Sequence, residues 1–344
     1  MLGISKFGRR FVAMLSVTVG VLLLLATVIP WASTPVYAES IIGSPIPVGS
    51  DPAGIGINPV TNRIYVANFN SATVSVIEGS SNSVIATIPV GSSPNGVGVD
   101  SRANRIYVAN VGSQSVSVID GKTNSVVATI PVGPNPWGVA ANPKNHHVYV
   151  STLGDGTVAG AVDVINGVTN RVIATVPDPF APRGVAVNTV NNRVYVANQS
   201  NSTVTAIAGT HVLATIPLSS DLGPFDIAVN SQTNRVYVAN LGIGSPAGLG
   251  GGLPVTVIDG KRNTVVANIP VATFLSAIAV NSTTNRIYVA SLNEGNISVI
   301  DGFTDEVVAS VPVGPQPDGV AVNPKTNRIY VSNSGDGTVS VIQD

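Results

Sequence analysis

The chain repeats itself. Blocks of similar sequence begin at Gly54, Gly96, Gly138, Gly184, Asp226, Ala277 and Gly319, at spacings of 42, 42, 46, 42, 51 and 42 residues. A period in the low forties admits propeller blades or a helical array, and the pattern inside one period decides between them. The second block reads GVGVDSRANRIYVANVGSQSVSVIDGKTNSVVATIPVGPNPW. It holds four strand-length runs, GVGV, RIYVAN, SVSVID and VVATIPV, rich in β-branched residues. Between them stand Asn, Asp, Gly and Ser, and the Asp-Gly of IDGKTN is a strong hairpin signal. No stretch carries a helical period. Four antiparallel strands per repeat predict an all-β chain built of β-propeller blades, and seven block starts predict seven of them.

The last block, GVAVNPKTNRIYVSNSGDGTVSVIQD at 319–344, supplies three strands and stops. Its fourth is expected at the other end of the chain. Residues 41–53, IIGSPIPVGSDPA, match VIATIPVGSSPN at 84–95 with one extra residue. The N-terminal strand would then close the last blade and leave the ring without an open sheet edge. Pro45 is tolerable there, because the fourth strand is the outer edge.

The second strands read NRIYVAN at 62–68 and 104–110, NRVYVAN at 192–198 and 234–240, NRIYVAS at 285–291 and NRIYVSN at 327–333. This resembles the YVTN-family β-propeller repeat of bacterial exported and archaeal surface-layer proteins, over residues 41–344. No block spells YVTN, and the third departs most, with NHHVYVST at 145–152. The resemblance implies a fold and an exported setting; a fold does not by itself set a function.

Residues 1–38 differ from the rest. Lys6, Arg9 and Arg10 precede a 19-residue apolar run at 11–29, and Val36 and Ala38 are small enough for signal peptidase. An export signal cleaved after Ala38 is expected. The alternative is a retained membrane anchor. A signal at 1–38 and a propeller at 39–344 are the expected domains. Without those three basic residues the formal charge of −1 becomes −4. That balance gives no general pull toward nucleic acid or anionic lipid. The chain has no cysteine, which excludes disulfides and thiol chemistry.

In such a ring, the loops joining second to third strands, and each fourth strand to the next blade, share one face, here called the top. Both blocks longer than 42 residues carry their insertion there, TLGDGTVAGA at 152–161 and LGIGSPAGLGGGLP at 241–254. Added loops on one face of a repeat scaffold often mark its binding face. One residue per block precedes the first strand at the top mouth of the channel: Ala53, Asn95, Trp137, Arg183, Phe225, Ser276 and Asp318. This mixture suggests a pocket. The candidate ligand-binding residues are Asn95, Trp137, Asp155, Arg183, Phe225, Asp226 and Asp318.

Elsewhere the repeat reads as structural. Asn58, Asn142, Asn188, Asn230, Asn281 and Asn323 end first strands, where the side chain can bond turn backbone. Arg63, Arg105, Arg193, Arg235, Arg286 and Arg328 open second strands on the bottom face and are expected to pair with a neighbouring blade or lie along the sheet. Some bacterial relatives of the YVTN type are associated with single-stranded DNA, but no aromatic stacking series accompanies these arginines. His146, His147 and His211 fall on the bottom and are expected to be solvated. Propeller lyases similar in repeat design rely on a top-face histidine, and none stands there. No catalytic residue, metal-ligand set or cofactor motif is expected, although top-face carboxylates keep an enzyme as the alternative. The expected role is a non-catalytic scaffold outside the cytoplasm that binds an envelope or extracellular protein or glycan. Nucleic acid is not an expected partner, and membrane contact requires that 11–29 stay as an anchor. Oligomeric state is not legible.

Overall fold

The computed structural model describes residues 39–242 and 253–344. The signal or anchor expected over 1–38, and residues 243–252 of the second insertion, lie outside the described residues. All described secondary structure is β, in seven antiparallel sheets. The first strands are Pro52–Asn58, Pro94–Asp100, Pro136–Asn142, Pro182–Asn188, Pro224–Asn230, Leu275–Asn281 and Pro317–Asn323. Each touches the first strands on either side, and the last touches the first, so the blades form a closed ring. The fold is a seven-bladed β-propeller, as the repeat predicts.

Burial explains the sequence of each blade. In blade 2, Arg105–Asn110 and Ser115–Asp120 are covered on both faces by neighbouring blades, so they read as nearly continuous apolar runs. The outer strand Ser125–Pro131 is mostly exposed. Each apolar cluster straddles two adjacent blades; Tyr107, Val116 and Ile130 of blade 2 pack on Val148, Val150 and Ile165 of blade 3. The ring therefore has seven cores, one at each junction.

Closure occurs as the sequence predicts. Ser40 and Ile41 pair with Gln343 and Ile342, and Ile46 and Pro47 pair with Val339 and Thr338. The strand is broken in two at Gly43 (φ 72°), which absorbs the extra residue. The first insertion corrects an expectation. Residues 152–161 are mainly strand rather than loop, because the second strand runs His147–Gly154 and the third Ala159–Asn166, with Gly154 opposite Ala159. The block is four residues longer than its neighbours. Two extra residues on each strand preserve which side chains face in.

Side chains at the bottom lock neighbouring blades together. Asn58 Nδ2 donates to Asn104 Oδ1 in the next blade (2.7 Å), while its Oδ1 accepts the Val60 N–H of its own turn (2.9 Å). Five other junctions repeat the Asn–Asn bond at 2.6–3.1 Å. The seventh differs: buried Asp100 meets His146 Nδ1 at 2.6 Å. His146 is therefore a junction residue, not the solvated side chain the sequence suggested. It keeps the left-handed backbone (φ 58°) of the asparagines it replaces, a conformation His tolerates better than most residues. His146→Ala should cost about 1–2 kcal/mol, and Asp100→Asn with His146→Asn should stay within about 0.5 kcal/mol of the parent. A denaturant-unfolding cycle measures both.

The arginines cross as well. Arg63 donates to the Gly121 carbonyl (2.7 Å), Arg328 to Gly79 (2.6 Å), and Arg235 to Asp305 (2.7 Å), each in the following blade. Arg193 and Arg286 also reach their neighbours, whereas Arg105 pairs with Asp120 of its own blade (3.0 Å).

Candidate functional site

The top mouth is set by a recurring turn. Ser93, Asn135, Ala181 and Gln316 take φ of 51–53°, and a proline follows each: Pro94, Pro136, Pro182 and Pro317. The left-handed residue reverses the chain and the proline fixes φ for entry into the first strand. The next residue then projects at the mouth. Close packing narrows the channel just below. A Cβ on Gly96 would stand 2.3 Å from the Trp137 carbonyl oxygen of the next blade. Hydroxyls pin the rim: Ser332 donates to the Ala53 carbonyl (2.6 Å) and Ser276 to that of Pro317 (2.7 Å).

These rims enclose a cavity of about 170 Å³. Asn95, Trp137, Phe225, Asp226 and Asp318 line it, with Ser276 between the two carboxylates in blade order. The structure thus brings together five of the seven candidates. Arg183 is not among the lining residues. Its guanidinium carbon lies 4.2 Å from the Trp137 ring centre and 5.2 Å from that of Phe225, within cation–π range. Its Nε donates to Gln199 Oε1 (2.9 Å). The two aromatic rings meet edge to face, 6.0 Å apart at 77°. Asp155 is apart from the cavity lining. Its carboxylate accepts the Thr157 and Val158 N–H groups (2.9 and 2.8 Å), so it shapes its own turn.

The other half of the mouth is acidic. Asp226 occupies the slot filled by Gly54, Gly96, Gly138, Gly184 and Gly319 in other blades. Its Oδ2 accepts the Ile278 N–H (2.9 Å). Burial pushes its carboxyl up to about 6 against that bond. Asp318 is also pushed up to about 6, first by burial, then by the charges of Asp51 and Asp226. Both keep a partly open surface toward the channel while protein surrounds them otherwise. Burial also pulls the Arg183 guanidinium down.

Raised carboxyl values have a definite sign for stability. The folded ring binds protons more tightly than the unfolded chain, so the penalty is full above pH 6 and gone below about 4. Between pH 7.5 and 5 the melting temperature should therefore rise, by up to roughly 2–4 °C. Asp318→Asn should remove part of that rise; calorimetry at several pH values checks it.

Three features escaped the sequence reading. Gln199 orients Arg183, Asp51 acts on Asp318, and the prolines mark where each mouth residue begins. The prolines were a visible signal; the other two partners lie in different loops.

The fold and mouth define a seven-bladed β-propeller with an aromatic–acidic opening. No family model matches the chain. PE-PGRS family protein PE_PGRS18 of Mycobacterium tuberculosis is 61% identical over 36 residues, which is 10% of this chain and 8% of that protein. The match thus spans less than a tenth of the curated protein's length. Among solved structures, a chain of Kuenenia stuttgartiensis hydrazine synthase superposes with a TM-score of 0.78 over 86% of this chain and 96% of its own, at 19% identity. At that identity the likeness is one of fold alone.

Proposed function

We propose that this is an exported, non-catalytic propeller of the YVTN-repeat type, and that its top face holds a cell-envelope protein or glycan. One observation carries the reading. The residues that break the repeat's sameness, Trp137, Phe225, Asp226 and Asp318, converge on one cavity at the top mouth. The repeated polar side chains at the bottom are engaged in blade junctions, as with Asn58 and Arg63. Arginines so engaged are poorly placed to collect phosphates, which weighs against nucleic acid.

Capture from envelope extracts tests this. The intact chain should retain a partner, and Trp137→Ala with Phe225→Ala should reduce retention at least about tenfold, as loss of central aromatic anchors does. Lys261→Ala, at the bottom, should leave it unchanged. Equal retention by the mouth variant would sink the reading.

A second reading, an enzyme using the mouth carboxylates, is favoured by the raised carboxyls of Asp226 and Asp318. It predicts a bound divalent metal that Asp226→Ala and Asp318→Ala release, visible by native mass spectrometry.

A further inference from the structure

Charge in this ring is sorted by face. Of the 14 Lys and Arg that follow residue 38, Arg183 alone stands at the top; thirteen lie in bottom turns or open strands that begin there. The 18 carboxylates divide evenly, nine to each face by the same strand directions. Nine against one leaves the top at −8, and nine against thirteen leaves the bottom at +4. His146, His147 and His211 are all at the bottom. The modest net charge of −4 conceals a strongly polarised molecule.

Two of the nine top carboxylates are internal. Asp163 and Asp178 are buried, and Asp163 accepts the Gly133 N–H (2.8 Å). The remaining seven, Asp51, Asp155, Asp221, Asp226, Glu294, Asp318 and Asp336, reach solvent or the mouth. They come from the loops and strand ends of blades 1, 3, 5, 6 and 7. A spread of that breadth exceeds what one small cation can contact; a chain bearing several cations can follow it.

The mouth supplies an independent sign. Asp318 lines the cavity, half-buried and partly open to the channel, and among the described residues no group donates a hydrogen bond to its carboxylate. A carboxylate that faces a cavity without a protein donor keeps its accepting positions open to a ligand. Among the described residues no cationic side chain lines the cavity, and the Arg183 guanidinium is held on the aromatic rings and Gln199. A cationic donor arriving from outside would fit there. A cavity of about 170 Å³ suits the head group of one long side chain rather than a folded surface.

We propose that the top face is a receptor for a lysine- or arginine-rich segment of a partner protein, with one ammonium or guanidinium group seated in the mouth beside Asp226 and Asp318. The segment's other cations lie over the rim carboxylates. The proposal rests on the reading of the top as a binding face and names the partner's chemistry. Neutral or anionic glycans gain nothing from such a field, whereas a basic segment is both steered and held by it.

Trp137 is the one tryptophan after residue 38, the other being Trp31. Its emission therefore reports on the mouth once Trp31→Phe removes the second fluorophore. The full chain carrying that substitution, in neutral detergent, is titrated with hexalysine. A saturable emission change is expected, weakening about tenfold or more between about 50 and 300 mM NaCl. Asp226→Asn with Asp318→Asn should weaken it at least about tenfold. Should that pair disturb folding, Asp221→Asn with Asp336→Asn, both exposed, should still weaken it about threefold. Glu306→Gln, exposed at the bottom, should leave binding unchanged, and hexaglutamate should give no change. Absence of a saturable change, or equal binding by both acidic-pair variants, overturns the proposal. If a neutral oligosaccharide shifts Trp137 while hexalysine does not, this proposal falls and the binding-face reading stands. If envelope capture is also indifferent to the mouth aromatics, both fall.

Discussion

A chain starting at Gly49 should melt roughly 10 °C below one starting at Glu39, because a few kcal/mol of closing contacts are lost. Those contacts are specific. Ile46 is buried among Ile64, Val66, Ile77, Tyr330, Val339 and Val341, at the junction of the last blade with the first. The Ile42 and Val48 amides donate to the Val341 and Gly337 carbonyls, each at 2.9 Å. Glu39 and Asp344 together hold Arg286. Deletion removes the Ile46 packing, both amide bonds and the Glu39 contact at once and leaves Thr338–Gln343 as a bare edge, so the shortened chain should also associate through it. Calorimetry and light scattering report the two effects. A melting point within about 2 °C of the longer chain would show that closure contributes little.

Gly96→Ala should destabilise the ring by about 3 kcal/mol, the upper range for overpacking, although it adds a single methyl group. The obstacle is backbone. The new Cβ would meet the Trp137 carbonyl oxygen at 2.3 Å and the Val139 nitrogen at 3.0 Å, and neither can swing aside as a side chain could. Relief requires moving blade 3 outward, which carries Trp137 with it. Altered Trp137 emission should therefore accompany the loss of stability. Asp226 and Ala277 hold side chains in this slot, opposite Ala239 and Ala290, but pairing alone does not make room: Gly319 lies opposite Ser332 and its Cβ would still stand 2.3 Å from the Ala53 carbonyl oxygen. Denaturant unfolding with emission as the probe reads both effects, and unchanged stability would mean the junction yields more easily than its geometry implies.

The fold was legible because one pattern occurs seven times and each copy corroborates the others. The bottom-face arginines were legible for the same reason. What was not legible depends on two copies departing from the pattern together. Asp100 and His146 replace asparagines in adjacent repeats, and each substitution alone looks like drift; their pairing emerges only when blade 2 meets blade 3. Within the site, the mouth position could be read from register, so Asn95, Trp137, Phe225 and Asp318 converge as expected. The stacking of Arg183 on Trp137 could not, since it needs side-chain direction across a junction. Asp155 stands at the top but outside the cavity lining, where its carboxylate accepts from its own turn, a detail that spacing alone does not reveal.

The two-piece strand at 40–47 also sets when the last blade can be completed. Its partners, residues 338–343, are made only after the six other blades. The N-terminal strand must wait unpaired through that synthesis, and joining such distant segments is entropically slow, although the cost grows only logarithmically with separation. Until then the last blade lacks its outer strand. Closure thus acts as a completeness check, because a chain halted short of those residues cannot complete that blade.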